Sequence, residues 1–130
     1  MIGLDTNVIL RFVTQDHPTQ SAAANRLMES FSIDKPGFVP TICVIELVWA
    51  LKTFYKAKSS DIEQAVETLL RAEGLIIERS ELVWQALRLF TKTSADFADC
   101  LIERCAHAEG CDHTATFDRK AVSAGMKLLS

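Results

Sequence analysis

No apolar run in this sequence approaches the ~20 residues that a membrane-spanning helix requires, so a bilayer-embedded fold is not expected. The opening, MIGLDTN, has neither the basic segment nor the long apolar core of a secretory signal. Cysteine is sparse. Cys43, Cys100, Cys105 and Cys111 are too few and too irregularly placed for a disulfide framework, and a reducing cytoplasm is the expected setting. No repeat, low-complexity stretch or linker stands out. The five glycines fall singly, so the chain has no P-loop, no dinucleotide glycine pattern and no G-x-S-x-G turn. Nucleotide-cofactor chemistry and serine hydrolysis are therefore not expected. A basic excess is missing too: the net charge is −3, which argues against tight, non-specific nucleic-acid binding. An RNA substrate stays possible, because a cation held by carboxylates inverts the local field. An acidic surface also suits a basic protein partner.

What is present is an ordinary globular composition, 48% hydrophobic and 24% charged over 130 residues, the size of one domain with one core. Ile2 to Leu4 reads as a strand, followed by a helical segment from about Asn7 to Val13. His17-Pro18 breaks the chain before a helix from Thr19 to Phe31, with Ala22, Ala23, Leu27 and Met28 expected inside. Pro36-Gly37 precedes a strand at Phe38-Val39. A long helix, roughly Ile42 to Tyr55, follows, with Thr41 placed to cap it. Ser60 and Glu63 form a capping-box pattern opening a helix that carries Ile62, Ala65, Val66, Leu69 and Leu70, with Gly74 at its end. Leu75 to Ile77 is a strand candidate, and Ser80 starts a helix with Leu82, Val83, Ala86, Leu87 and Phe90 on one face. A helix from about Phe97 to Ala108, a strand from His113 to Thr116, a short helix from Asp118 to Ala124 and a strand from Met126 to Leu128 complete the chain. Strands alternating with helices indicate an α/β domain with a mostly parallel sheet, whose ligands bind outside the carboxyl ends of the strands.

Acidic residues fall where that rule wants them. Asp5 directly follows the first strand, and Asp118 follows the strand ending near Thr116; each alone also reads as a helix N-cap. Glu46 is the only charged residue between Pro40 and Lys52, in a helix whose apolar residues cover nearly the whole circumference. Burial on most sides is expected for such a helix, and a buried carboxylate needs a basic partner, a proton or a metal. Asp96, Asp99 and Glu103 share the side of their helix opposite Phe97, Ala98, Leu101, Ile102, Cys105 and Ala106; Asp96 suits an N-cap, and Asp99, at the apolar boundary, is the better ligand candidate. Two carboxylates ~4 Å apart repel by roughly 4 kcal/mol at an effective dielectric of ~20, so several in one cleft need a cation or a proton. Oxygen donors alone select a hard ion such as Mg²⁺ or Mn²⁺, which suits phosphodiester hydrolysis.

Two other constellations are weaker. Cys100, Cys105, His107, Cys111 and His113 cluster in sequence, but the cysteines point in different directions and no C-x₂-C pair exists for zinc. Asp5-Thr6-Asn7 lacks the second Asp expected of an aspartyl-phosphate site.

Taken in order, I-G-L-D-T-N-V-I-L, P-T-I-C-V-I-E-L-V-W, A-D-F-A-D-C-L-I and T-A-T-F-D resemble the motifs of the PIN-domain family, and more narrowly of its VapC-type toxins, over essentially the whole chain. The resemblance implies one Rossmann-like α/β/α sandwich over residues 1–130, built on a five-stranded parallel sheet. It implies that Asp5, Glu46, Asp99 and Asp118 are the metal-binding acidic quartet, with Asp96 secondary and Thr6, Asn7 and Thr116 supporting them by hydrogen bonds. The activity implied is Mg²⁺- or Mn²⁺-dependent endonucleolytic cleavage of RNA, leaving a 3′-hydroxyl and a 5′-phosphate. Arg11, Lys52, Lys56, Arg119 and Lys120 are then candidate phosphate contacts. A homodimer is implied, as is inhibition by a cognate VapB-like antitoxin, a small basic protein with a DNA-binding N-terminus. Two alternatives remain at this point: a PIN fold that binds protein or RNA without cutting, and a PIN nuclease outside toxin–antitoxin biology.

Overall fold

Ile2 and Gly3 start the first ladder: strand β1 (Ile2–Gly3) lies parallel to β2 (Gly37–Val39), and β2 lies parallel to β3 (Leu75–Ile77) on its other side. The computed structural model describes all residues, Met1–Ser130, which form two compact units, Met1–Ser80 and Glu81–Ser130. In the first unit the strand order is β1-β2-β3, and the register pairs Ile2 with Gly37 and Val39 with Ile77. Parallel neighbours need crossover connections. Helices α1 (Thr6–Thr14) and α2 (Pro18–Glu29) supply the first, and α3 (Thr41–Phe54) and α4 (Ser59–Arg71) the second. The central strand is the buried one: Val39 is fully inaccessible, and Ile9, Val44, Leu47, Val66 and Leu69 are nearly so.

Helix starts in this unit are set by side chains at hand. Asp5 is the N-cap of α1, its Oδ1 accepting from Thr6 N at 2.8 Å, and His17 Nδ1 accepts from Gln20 N at 3.1 Å at the start of α2. Thr41, expected to cap α3, is instead its first residue. Glu78, arriving from β3, does the capping: its Oε1 accepts from Thr41 N at 2.8 Å, and its backbone carbonyl accepts from Thr41 Oγ1 at 2.7 Å. At α4 the acceptor is Asp61, whose Oδ2 takes Lys58 N at 3.0 Å, two residues earlier than the Ser60–Glu63 pattern suggested. Gly74 lies beyond α4, and its reason is steric. A Cβ there would sit 2.8 Å from Phe31 Cβ, and one on Gly37 would sit 2.5 Å from the Phe31 ring, so two glycines make room for one aromatic residue.

Two inner faces in this unit differ from the sequence expectation. On α2, Ser21 and Ala24 are buried while Ala22 and Ala23 are exposed. Small residues let α2 lie close to α1, and the Ser21 hydroxyl is satisfied by Arg11 O at 2.8 Å. On α3, Cys43, Val44, Leu47, Val48, Ala50 and Leu51 are buried, but Ile42, Trp49 and Phe54 are 65%, 59% and 68% exposed. The helix is buried on one side only.

The second unit holds α5 (Ser80–Lys92), α6 (Phe97–Ala108), α7 (Arg119–Val122) and a two-stranded parallel ladder of β4 (Ala115–Thr116) with β5 (Lys127–Leu128). Val83, Ala86 and Leu87 of α5 and Phe97, Cys100 and Leu101 of α6 are buried, and Phe90 meets Phe97 edge to face at 6.1 Å. Helix α6 is rotated from its expected phase. Ile102 is 52% exposed, whereas Glu103 is buried at 9%, with its Oε1 accepting from Arg104 Nε at 2.6 Å. All five expected strands are present and parallel, but as a three-stranded and a two-stranded ladder rather than one five-stranded sheet. Strands β1, β4 and β5 are only two residues long, so each carries few ladder bonds.

Candidate metal centre

The carboxyl end of β1 leads through buried Leu4 straight into Asp5, and the carboxyl end of β2 leads through Pro40 into α3. Glu46 sits one turn inside α3, so these two acids are delivered by neighbouring parallel strands at one sheet edge. Thr6 joins them. Its backbone N–H donates to Asp5 Oδ1 at 2.8 Å, and its hydroxyl donates to Glu46 Oε1 at 2.6 Å. A single residue thus holds one oxygen of each carboxylate, reaching Glu46 from 40 positions away in sequence.

Glu46 was expected in a buried helix. It is exposed, because the side of α3 that carries it is the unburied one. No Lys or Arg is paired with Asp5 or Glu46. The second oxygens, Asp5 Oδ2 and Glu46 Oε2, remain open as donors to a ligand. A pair of exposed carboxylates with no ammonium or guanidinium paired to them is a donor set for a hard divalent cation.

In the second unit, Asp96 occupies the N-cap position of α6 without a side-chain cap bond, and Asp99 lies in the first turn, half-buried. Both make further interactions in the fold. Asp118 caps α7, accepting from Lys120 N at 2.9 Å, while its own N–H donates to Thr116 Oγ1 at 3.0 Å. Two clusters are thereby assembled, Asp5–Thr6–Glu46 and Thr116–Asp118, with Asp96 and Asp99 at the head of α6. Within neither unit do three His, Cys, Asp or Glu side chains form a metal-holding group. Asn7 is exposed in the first turn of α1. Arg11 is engaged elsewhere, its Nε donating to Gln20 Oε1 at 2.8 Å and its Nη1 lying 3.6 Å from Asp16. A cleft of about 540 Å³ opens at the far end of α1, lined by Phe12, Val13, Leu51, Tyr55 and Lys56, and includes none of these acids.

Sequence reasoning did not single out Trp49 or Glu78. The exposed indole was hidden by the uniform apolarity of its helix. Glu78 acts on a helix 37 residues upstream, a link that local pattern cannot contain.

A parallel α/β framework with acids at the carboxyl ends of its strands defines the class, and the chain belongs to the PIN-domain family, whose model matches residues 2–125. Within that family it is VapC-like: the "VapC ribonuclease" of Aquifex aeolicus (strain VF5) is 30% identical over 127 residues, covering 98% of this chain and 94% of that protein. No helix is long and apolar enough to cross a membrane.

Proposed function

We propose that this chain is a metal-dependent endoribonuclease of the VapC type, hydrolysing RNA phosphodiester bonds and restrained by a cognate VapB-like antitoxin. The observation that carries the reading is the Asp5–Thr6–Glu46 cluster at the carboxyl edge of β1 and β2 in a PIN-family chain. The ribonuclease named among its relatives supports it. The same reading takes residues 1–130 as one Rossmann-like α/β/α domain, supported by a family match that runs from one unit into the other. A cytoplasmic homodimer is the form proposed for the free protein.

Asp5 and Asp99 are assigned as principal ligands of Mg²⁺ or Mn²⁺. Glu46 completes that set or orients the attacking water, and Asp118 supports a second cation or its waters, with Asp96 secondary. When bound, the cation supplies Lewis-acid polarisation of the phosphate and lowers the pKa of water at neutral pH. The chain's own part is to fix donor positions. Thr6 aims Glu46 by donating to it, and the N-cap bond at Asp5 ties that carboxylate to the start of α1. Thr116 steadies the turn that presents Asp118.

The test is cleavage of single-stranded RNA with Mg²⁺, Mn²⁺ or a chelator, for wild type, Asp5→Asn and Asp99→Asn. Each substitution is expected to lower the rate by more than about a hundredfold, beyond the 10–100-fold typical of residues that only support a ligand, with circular dichroism unchanged. Full activity in both variants overturns the assignment. A folded wild type that binds RNA but never cuts it would identify a non-catalytic PIN module instead.

A further inference from the structure

The exposed side of α3 carries more than Glu46. Helical spacing lines up Ile42, Glu46, Trp49 and Thr53 along it. Trp49 is 59% exposed on a helix whose buried positions are filled by smaller side chains, so the indole contributes little to the core. Phe54 braces it: the two rings meet at 5.3 Å with their planes at 89°, and Phe54 is itself in solvent. Lys52 lies one turn beyond Trp49, and Lys56 and Lys58 follow in the connection to α4, all exposed. Along α3 the order is therefore carboxylate, aromatic ring, cations. A single strand of RNA offers the complementary order of cleaved phosphate, unpaired base and further phosphates.

Resting on the ribonuclease reading and deepening it, we propose that Trp49, braced by Phe54, is the stacking platform for the unpaired base next to the cleaved phosphate. Residues three apart on a helix have Cβ atoms ~5–6 Å apart, which puts the indole about one nucleotide from Glu46. Stacking on an exposed aromatic residue is the usual way an unpaired base is held, and a base-paired duplex presents no free base face. This face thus selects single-stranded RNA with little preference for sequence. A protein occupant suits it less, because the centre of a protein interface is depleted of charge and here Glu46 and Lys52 flank the indole at one turn on either side.

The experiment is a cycle between Trp49→Ala and the RNA. An oligonucleotide whose cut site has been mapped is compared with one lacking the base next to that site. Trp49→Ala is expected to raise KM about fivefold to a hundredfold with kcat changed by less than about threefold, and Trp49→Phe to retain most of the affinity. Removing the base is expected to cost wild type a similar factor and Trp49→Ala almost nothing. Unchanged KM in a cleaving Trp49→Ala protein, or two losses that multiply, overturns the stacking role and leaves the nuclease reading intact. A Trp49→Ala protein that changes its mass in light scattering while KM stays put assigns this face to a protein contact and also overturns it. A wild type that cuts no RNA sinks both.

Discussion

Thr6 does two jobs with two different groups. Its backbone N–H completes the cap of α1 on Asp5, and its hydroxyl reaches Glu46. Thr6→Val removes only the second. Because the site is exposed, the stability cost is expected to stay within the ~0.5–1.5 kcal/mol of an ordinary hydrogen bond. Loss of a group that orients a ligand costs about 10–100-fold in metal affinity or activity, so cleavage is expected to fall by that factor and to recover in Thr6→Ser. A Thr6→Val enzyme as active as wild type would show that the hydroxyl is incidental. At this scale the sequence was informative. Asp5 stands out because a strand ends directly before it, and Glu46 because it is the single charge in TICVIELVWAL. The hydroxyl between them was legible only through family resemblance, since nothing local joins Thr6 to a helix 40 residues away.

Helix α1 ends in a polar knot that shows how an element is fastened far from the candidate centre. Gln15 leaves the helix at φ 54°, a left-handed cap, and Asp16 then collects Thr14 Oγ1 at 2.6 Å, the Tyr55 hydroxyl at 2.7 Å and Arg11 Nη1 at 3.6 Å. The Thr14 bond first, then the Tyr55 bond, with Arg11 adding a weaker attraction, hold the Asp16 carboxyl below its ordinary value. A depressed carboxylate stabilises the fold above the unfolded-state pKa of about 3.9, and that contribution is lost as pH falls through the lower folded value. Asp16→Asn is therefore expected to be the less stable protein at neutral pH, with the difference from wild type closing below about pH 4. Denaturant titrations across pH 2.5–7 check this; a gap independent of pH would exclude the ionised carboxylate as the cause. Element positions were well anticipated, because strand ends, caps and 3.6-residue spacing are local signals. Helix phase was anticipated for α4 and α5, but not for α2, α3 or α6. Helix α3 has apolar residues all round, so sequence could not say that Trp49 and Glu46 face outward while Leu47 and Leu51 face in. Glu103 reads as a surface acid until Arg104 pairs with it under cover.

Across the whole chain, net charge −3 makes the carboxylates rather than a basic surface the feature any RNA must meet. On the proposed assignment of Asp5 and Asp99 as ligands, a divalent ion would bind the folded chain and not the unfolded one. Such linkage adds ~2.7 kcal/mol at a hundredfold excess over Kd, which is roughly 10 °C in Tm for a chain of this size. Mn²⁺ is expected to raise the Tm of wild type but not of Asp5→Asn or Asp99→Asn, as scanning calorimetry would register. Equal shifts in all three proteins would place the ion elsewhere. The amino-acid sequence by itself determined the alternation of strands and helices, the residues that start and stop them, and the family, because each of these is written in short-range pattern or in the order of motifs. Only the tertiary structure decided that Thr6 bridges Asp5 and Glu46, that Glu78 caps α3, and that α3 offers Trp49 to solvent. Those outcomes depend on which helix face the sheet covers, and that is fixed by packing between segments far apart in the chain.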